Sequence, residues 1–179
     1  MHEEKLQINT RIRILVFSLL PCLALSVALA NTDTRSVDTE IIISASPKEV
    51  LQAFLSDDDL KAWWKVSRSL VEPKHGGVWS ITWDDWGPEK TQHAWIGVID
   101  EVTPDTLVIG HLVMIEPDMP LLGPMQLEIS VSPTTGGTLL RLSHRGYRYG
   151  DHWDAMYDMV VKGWDHVLGD MAAWFQEEY

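Results

Sequence analysis

From Asp151 to the end of the chain, Trp153, Tyr157, Val160, Trp164, Val167, Leu168, Met171 and Phe175 recur at steps of three and four, while Asp154, Asp158, Lys162 and Asp165 fall on the opposite side. That period is the apolar face of an α-helix of about seven turns. A stripe this long, rich in aromatic rings, must be covered by one continuous apolar surface, so the rest of the chain has to supply a broad sheet or a helix layer. Gly150-Asp151 is the expected helix start, and Asp158–Lys162 an expected i,i+4 pair on the outer face. Gly163 and Gly169 interrupt the helix, each costing about 1 kcal/mol relative to Ala. Gly163 is expected at the edge of the stripe, where the helix would approach its cover closely.

The cover is a sheet. Val37–Ala45 reads as a first strand around Ile41-Ile42-Ile43. Ser46-Pro47-Lys48-Glu49 then opens a short helix, with a capping serine, proline at the first helical position and a capping-box glutamate. A second helix runs over Asp57–Trp64, its three aspartates complementing the helix dipole rather than holding calcium. From residue 67 the pattern changes to strands broken by turn residues: Arg68–Val71, Val78–Trp83, Ala94–Glu101, Leu107–Val113, Met125–Ser132 and Thr138–Arg145. Six strands at this spacing predict an antiparallel meander. Leu127, Ile129 and Val131 share one face and Gln126, Glu128 and Ser130 the other, as a sheet packed on one side requires.

The first thirty residues stand apart. Lys5, Arg11 and Arg13, an apolar run from Ile14 to Leu25 and then Ala28-Leu29-Ala30 have the order of a secretory signal peptide cut before Asn31. The run holds Ser18, Pro21 and Ser26 and falls short of the about 20 apolar residues of a membrane span. The expected organisation is therefore a signal peptide over 1–30, a polar lead-in over 31–36 and one domain over 37–179, placed in the periplasm or outside the cell, with no stable membrane span after cleavage. Removing residues 1–30 takes away three basic and two acidic side chains and moves the net charge from −12 to −13. Such a surface repels phosphate backbones, which excludes nucleic acid as a partner. Cys22, the single cysteine, leaves with the signal, so the mature chain has no disulfide or thiolate site and rests on its core. All nine tryptophans stay in that mature chain.

Four stretches carry a family resemblance: Gly76-Gly77 before an aromatic strand, Gly97-Val98-Ile99-Asp100-Glu101-Val102-Thr103-Pro104, Gly136-Gly137-Thr138-Leu139-Leu140-Arg141-Leu142-Ser143-His144, and Gly163-Trp164. In order and spacing they resemble the bacterial homologues of the C-terminal domain of the activator of heat-shock protein 90 ATPase, within the START-like (SRPBCC) superfamily. The resemblance runs from Val37 to Trp174. It implies an α+β helix-grip fold, a curved antiparallel sheet wrapped around the C-terminal helix, with a cavity between the two. Members of that superfamily bind lipids and hormones, cyclise polyketides or assist chaperones, so fold alone does not select an activity. Export departs from a chaperone role, since heat-shock protein 90 and ATP are cytosolic.

The alternation places His144 inward, in phase with Leu140 and Leu142, and His111 inward with Leu107 and Ile109. Trp79 and Trp83 share a face with Ile81, and Trp153, Tyr157 and Trp164 lie on the helix stripe. These seven residues, Trp79, Trp83, His111, His144, Trp153, Tyr157 and Trp164, are the expected ligand lining, an aromatic pocket with two polar groups. Asp84-Asp85-Trp86-Gly87-Pro88 reads as its lip. The histidines show no HxH or HExxH spacing, so no metal is expected, and no cofactor is implied. No Gly-x-Ser-x-Gly is present, and Ser143 and His144 point to opposite faces of a strand, so no catalytic residue is assigned. The leading expectation is a domain that binds a small apolar or aromatic molecule without chemistry. A polyketide-cyclase-like enzyme using a buried histidine with a carboxylate is the alternative, and a protein-binding, co-chaperone-like module with a Trp-rich edge is a third.

Overall fold

The computed structural model describes residues 33–86 and 89–178. Seven strands make one antiparallel sheet: β1 (Arg35–Ile43), β2 (Arg68–Val71), β3 (Val78–Trp86), β4 (Thr91–Val102), β5 (Thr106–Ile115), β6 (Leu122–Thr134) and β7 (Gly137–Tyr147). Across the sheet they lie in the order β1-β7-β6-β5-β4-β3-β2. Thus β2 to β7 form the expected meander, and β1 returns to pair with β7, Ile43 opposite Thr138 and Val37 opposite His144. The described residues belong to one compact unit, and β1 starts two residues before the expected strand. The expected signal peptide lies outside the described residues.

The two short helices, α1 (Pro47–Gln52) and α2 (Asp57–Trp63), follow β1. Ser46 and Glu49 cap α1 reciprocally: the Ser46 hydroxyl accepts from the Glu49 N–H and the Glu49 carboxylate accepts from the Ser46 N–H at 2.9 Å. Ser56 caps α2 by accepting from the Asp59 N–H, and Asp57 pairs with Lys61 one turn on. The long helix α3 (Asp151–Glu178) lies over the buried face of the sheet. Its buried axis is Met156, Val160, Trp164, Leu168, Met171 and Phe175, with Trp153 and Tyr157 half-buried to one side. At its start, Arg35 of β1 donates to the Arg148 carbonyl at 2.8 Å, pairs with Asp154 and lies over the rings of Tyr149 and Tyr157. The outer helix face pairs His166 with Asp170, and the expected Asp158–Lys162 pair does not form among the described residues.

Five irregularities set the shape of the sheet. An extra residue interrupts β3 between Trp83 and Trp86, β4 between Ile99 and Glu101, β5 between Ile109 and Leu112, β6 opposite Leu112–Met114, and β7 between Arg145 and Tyr147. Each bulge bends its strand and sharpens the local twist, which lets a single sheet curve around a helix. The β5 bulge also resets the side-chain phase, because a one-residue insertion moves every later side chain to the other face. Leu107 and Ile109 are buried before it; Leu112 and Met114 are buried after it. His111 sits on the bulge with φ +51° and is exposed, so the inward placement expected for it is corrected. A Cβ on Gly110 beside it would stand 1.8 Å from Asp100 Oδ2, so any larger residue there requires the Asp100 side chain to turn aside.

Candidate functional site

Between α3, the end of α2 and strands β3 and β4 the packing leaves a cavity of about 120 Å³. Five indoles line it. Trp64 ends α2, Trp83 and Trp86 come from β3, Trp95 from β4 and Trp164 from α3. The β3 bulge explains why both Trp83 and Trp86 are present: without the extra residue, Trp86 would project to the opposite face. Trp64 meets Trp83, Trp95 and Trp164 at ring-centroid distances of 5.4, 5.6 and 5.2 Å, and Trp83 meets Trp95 at 5.8 Å. Trp64, Trp83 and Trp95 stand at 70°, 88° and 78° to one another, so their ring planes form a corner. Such edge-to-face contacts are each worth about 0.5–1.5 kcal/mol beyond burial. Buried indole N–H groups are anchored: Trp83 donates to the Trp64 carbonyl at 3.0 Å and Trp164 to His144 Nδ1 at 3.3 Å.

From α3, Met159, Val160, Gly163 and Val167 complete the apolar wall. Contrary to the expectation from sequence, Gly163 does not approach the sheet closely. A Cβ built there meets nothing within 4 Å, so the glycine leaves open space at the cavity instead.

One polar pair closes the site. His93 on β4 and Glu116, just after β5, both line the cavity, and His93 Nδ1 meets the Glu116 carboxyl. His93 Nε2 lies 2.6 Å from the Thr91 hydroxyl, which in turn donates to the Trp86 carbonyl, so Nε2 carries the ring hydrogen and Nδ1 faces Glu116. Burial disfavours charge on both partners: it pushes the Glu116 carboxyl up to about 7 and lowers the His93 imidazole. Below about pH 7 the pair thus holds one proton between the carboxyl and Nδ1, with the Glu116 O–H donating to Nδ1. A second, more open recess lined by Glu89, Asp118, Met119 and Met156 shares His93, Glu116 and Met159 with the cavity. The pair therefore stands between an apolar chamber and a more open recess of mixed lining.

Two of the seven residues expected to line the ligand, Trp83 and Trp164, reach the cavity. His144 is inward and fully buried, yet it stands behind the lining, 5.5 Å from Trp95 and 6.2 Å from Trp164 by ring centroid. Trp79 is fully buried in the core, donating to the Phe54 carbonyl at 2.9 Å. Trp153 and Tyr157 belong to the helix start, Trp153 under the Arg148 guanidinium and the Tyr157 hydroxyl donating to the Ser36 carbonyl at 3.0 Å. His111 faces out. Trp86 stands in the segment expected as the lip, and the residues that sequence reasoning missed, among them His93, Trp95 and Glu116, carried usable signals. His93 and Trp95 lie in phase with Ile99, and Glu116 is in phase with Leu112 and Met114 once the β5 bulge is recognised. No group of three or more metal-ligating side chains converges among the described residues.

Residues 44–176 match the family described as Activator of Hsp90 ATPase homolog 1-like protein. The chain belongs to that family. Solved structures agree on the fold. The AHSA1 protein of Silicibacter pomeroyi is 19% identical, with a TM-score of 0.65, covering 81% of this chain and 100% of its own. A protein of Mesorhizobium loti, also 19% identical, has a TM-score of 0.64 over 80% of this chain and 98% of its own. One from Chromobacterium violaceum is 21% identical, with a TM-score of 0.60 over 77% and 95%. At these identities the likeness is one of fold. No curated protein matches the chain.

Proposed function

We propose that this protein is an exported member of its family that holds a small apolar or aromatic molecule between sheet and helix, without chemistry. The observation that carries the reading is the cavity itself: about 120 Å³ walled by five indoles and closed by a single polar pair. A chamber of that size suits a molecule of one ring, and ligand sites are mostly apolar with a few placed polar groups. The nine tryptophans also argue against a partner-binding edge, since only Trp86 among them is exposed.

Gly163 supplies the test. Leucine there adds a side chain into open cavity, and a leucine helix interior is favoured over glycine by roughly 0.8 kcal/mol. In Gly163→Leu, calorimetric titration with indole should lose the binding seen in wild type while the melting temperature holds or rises. Equal indole binding in both proteins would place the ligand elsewhere.

The His93–Glu116 pair favours one further reading, acid–base catalysis of the polyketide-cyclase kind with these two residues in place of His144. Under it, Glu116→Gln abolishes conversion of a poly-β-ketone and wild type changes the compound's mass or absorbance. An unaltered compound recovered from wild type leaves binding alone.

A further inference from the structure

The five indoles have an unusual companion. Glu116 is buried against the cavity with no Lys or Arg in the lining; its neighbour is an imidazole that burial keeps neutral. A buried carboxylate without a fixed cation is costly and seeks either a proton or a positive charge. Indole faces attract cations through the ring quadrupole, and tryptophan does so best. We propose that the cavity takes a compact organic cation, a methylated ammonium group boxed by Trp64, Trp83, Trp86, Trp95 and Trp164 and faced by the carboxylate of Glu116.

This rests on the cavity reading above and names its ligand class. The cation replaces the proton now held by the pair, so the Glu116 proton leaves to solvent on binding and the charge of the site stays balanced. The groups around Glu116 do not oppose this. β4 presents His93 and Thr91, β3 presents Trp86, the flanking turns present Glu89 and Asp118, and α3 presents Ala155, Met156 and Met159, none of them cationic. The whole chain carries a net charge of −12, which favours approach of a cation. A cavity of about 120 Å³ fits the ammonium head, and the adjoining recess has room for the rest of a larger molecule.

Choline and 3,3-dimethyl-1-butanol share a shape and differ in charge, so titrating the full chain with each isolates the charge. Choline should bind about tenfold or more tighter than its neutral twin. Its affinity should rise from about pH 6 to about pH 8 as Glu116, pushed up to about 7, gives up its proton. In Glu116→Gln the preference of choline over dimethylbutanol and the pH dependence of choline binding should both shrink. Equal or tighter binding of dimethylbutanol overturns the cation and leaves the apolar cavity standing. Failure of choline, dimethylbutanol and indole alike overturns both. Phosphatidylcholine vesicles separate the sources. Cosedimentation of the protein, abolished by Trp86→Ala, assigns the same ammonium chemistry to a lipid headgroup, and its absence with choline bound assigns it to a soluble molecule.

Discussion

With His144 sealed from water, its Nδ1 accepts from the Trp164 indole N–H at 3.3 Å, and the Tyr147 hydroxyl lies 2.8 Å from Nδ1 and 3.3 Å from Nε2. An indole N–H can only donate, so Nδ1 accepts and the ring proton sits on Nε2. Burial pushes this imidazole down to about 3. Protons then bind the unfolded chain before the native one, and stability falls as the pH drops from 6.5 toward 3. Glu116 acts in the opposite sense: its carboxyl is raised from 4.5 to about 7, so stability is lost as the pH rises through that window. Urea midpoints measured across the acid range should therefore fall less steeply in His144→Gln than in wild type, since glutamine keeps an acceptor for Trp164 and does not titrate there. Parallel slopes would show that His144 is not held neutral by the fold.

At the scale of the strand, the β5 bulge decides more about the site than any single lining residue. It turns His111 out and brings Glu116 in. Its removal should be far worse than its relaxation. Deleting His111 would send Leu112 and Met114 to the solvent face, and losing two buried side chains of that size costs about 4 kcal/mol or more, so the variant should not fold. His111→Gly keeps the count and relieves a left-handed φ of 51°, with an expected gain of roughly 0.5 kcal/mol after the entropy of glycine is subtracted. A deletion variant with a wild-type near-ultraviolet spectrum would contradict this account. The same bulge marks where sequence reasoning stops. Helix stripes and strand alternation are periodic, so the order of elements, the caps of α1 and the stripe of α3 were legible from Ser46, Pro47, Glu49 and the Trp164 series. A bulge is one aperiodic residue, and its only local mark here is Gly110. Everything beyond it in β5, and Trp86 beyond the bulge in β3, was therefore assigned to the wrong face or to no face.

For the molecule as a whole, export and fold are compatible. Asp33 and Thr34 are exposed and precede β1, so a cut before Asn31 falls ahead of every strand among the described residues. N-terminal sequencing of the secreted or periplasmic protein should read from Asn31; an intact Met1 in a membrane fraction would contradict the proposal. No helix among the described residues is long and apolar enough to cross a membrane. The grip of the sheet on α3 gathers rings that lie far apart in the chain, and Trp64 is their hub: Trp63, Trp79, Trp83, Trp95 and Trp164 all lie within 4.9–6.3 Å of it by centroid. At such separations the indoles no longer absorb light as independent chromophores. Their transitions couple, and excitation taken up by one is shared among its neighbours before any photon is emitted. Anything that enters the chamber changes the surroundings of several members of that array at once, so the protein is its own dye, and occupancy of the site is written into its intrinsic spectrum.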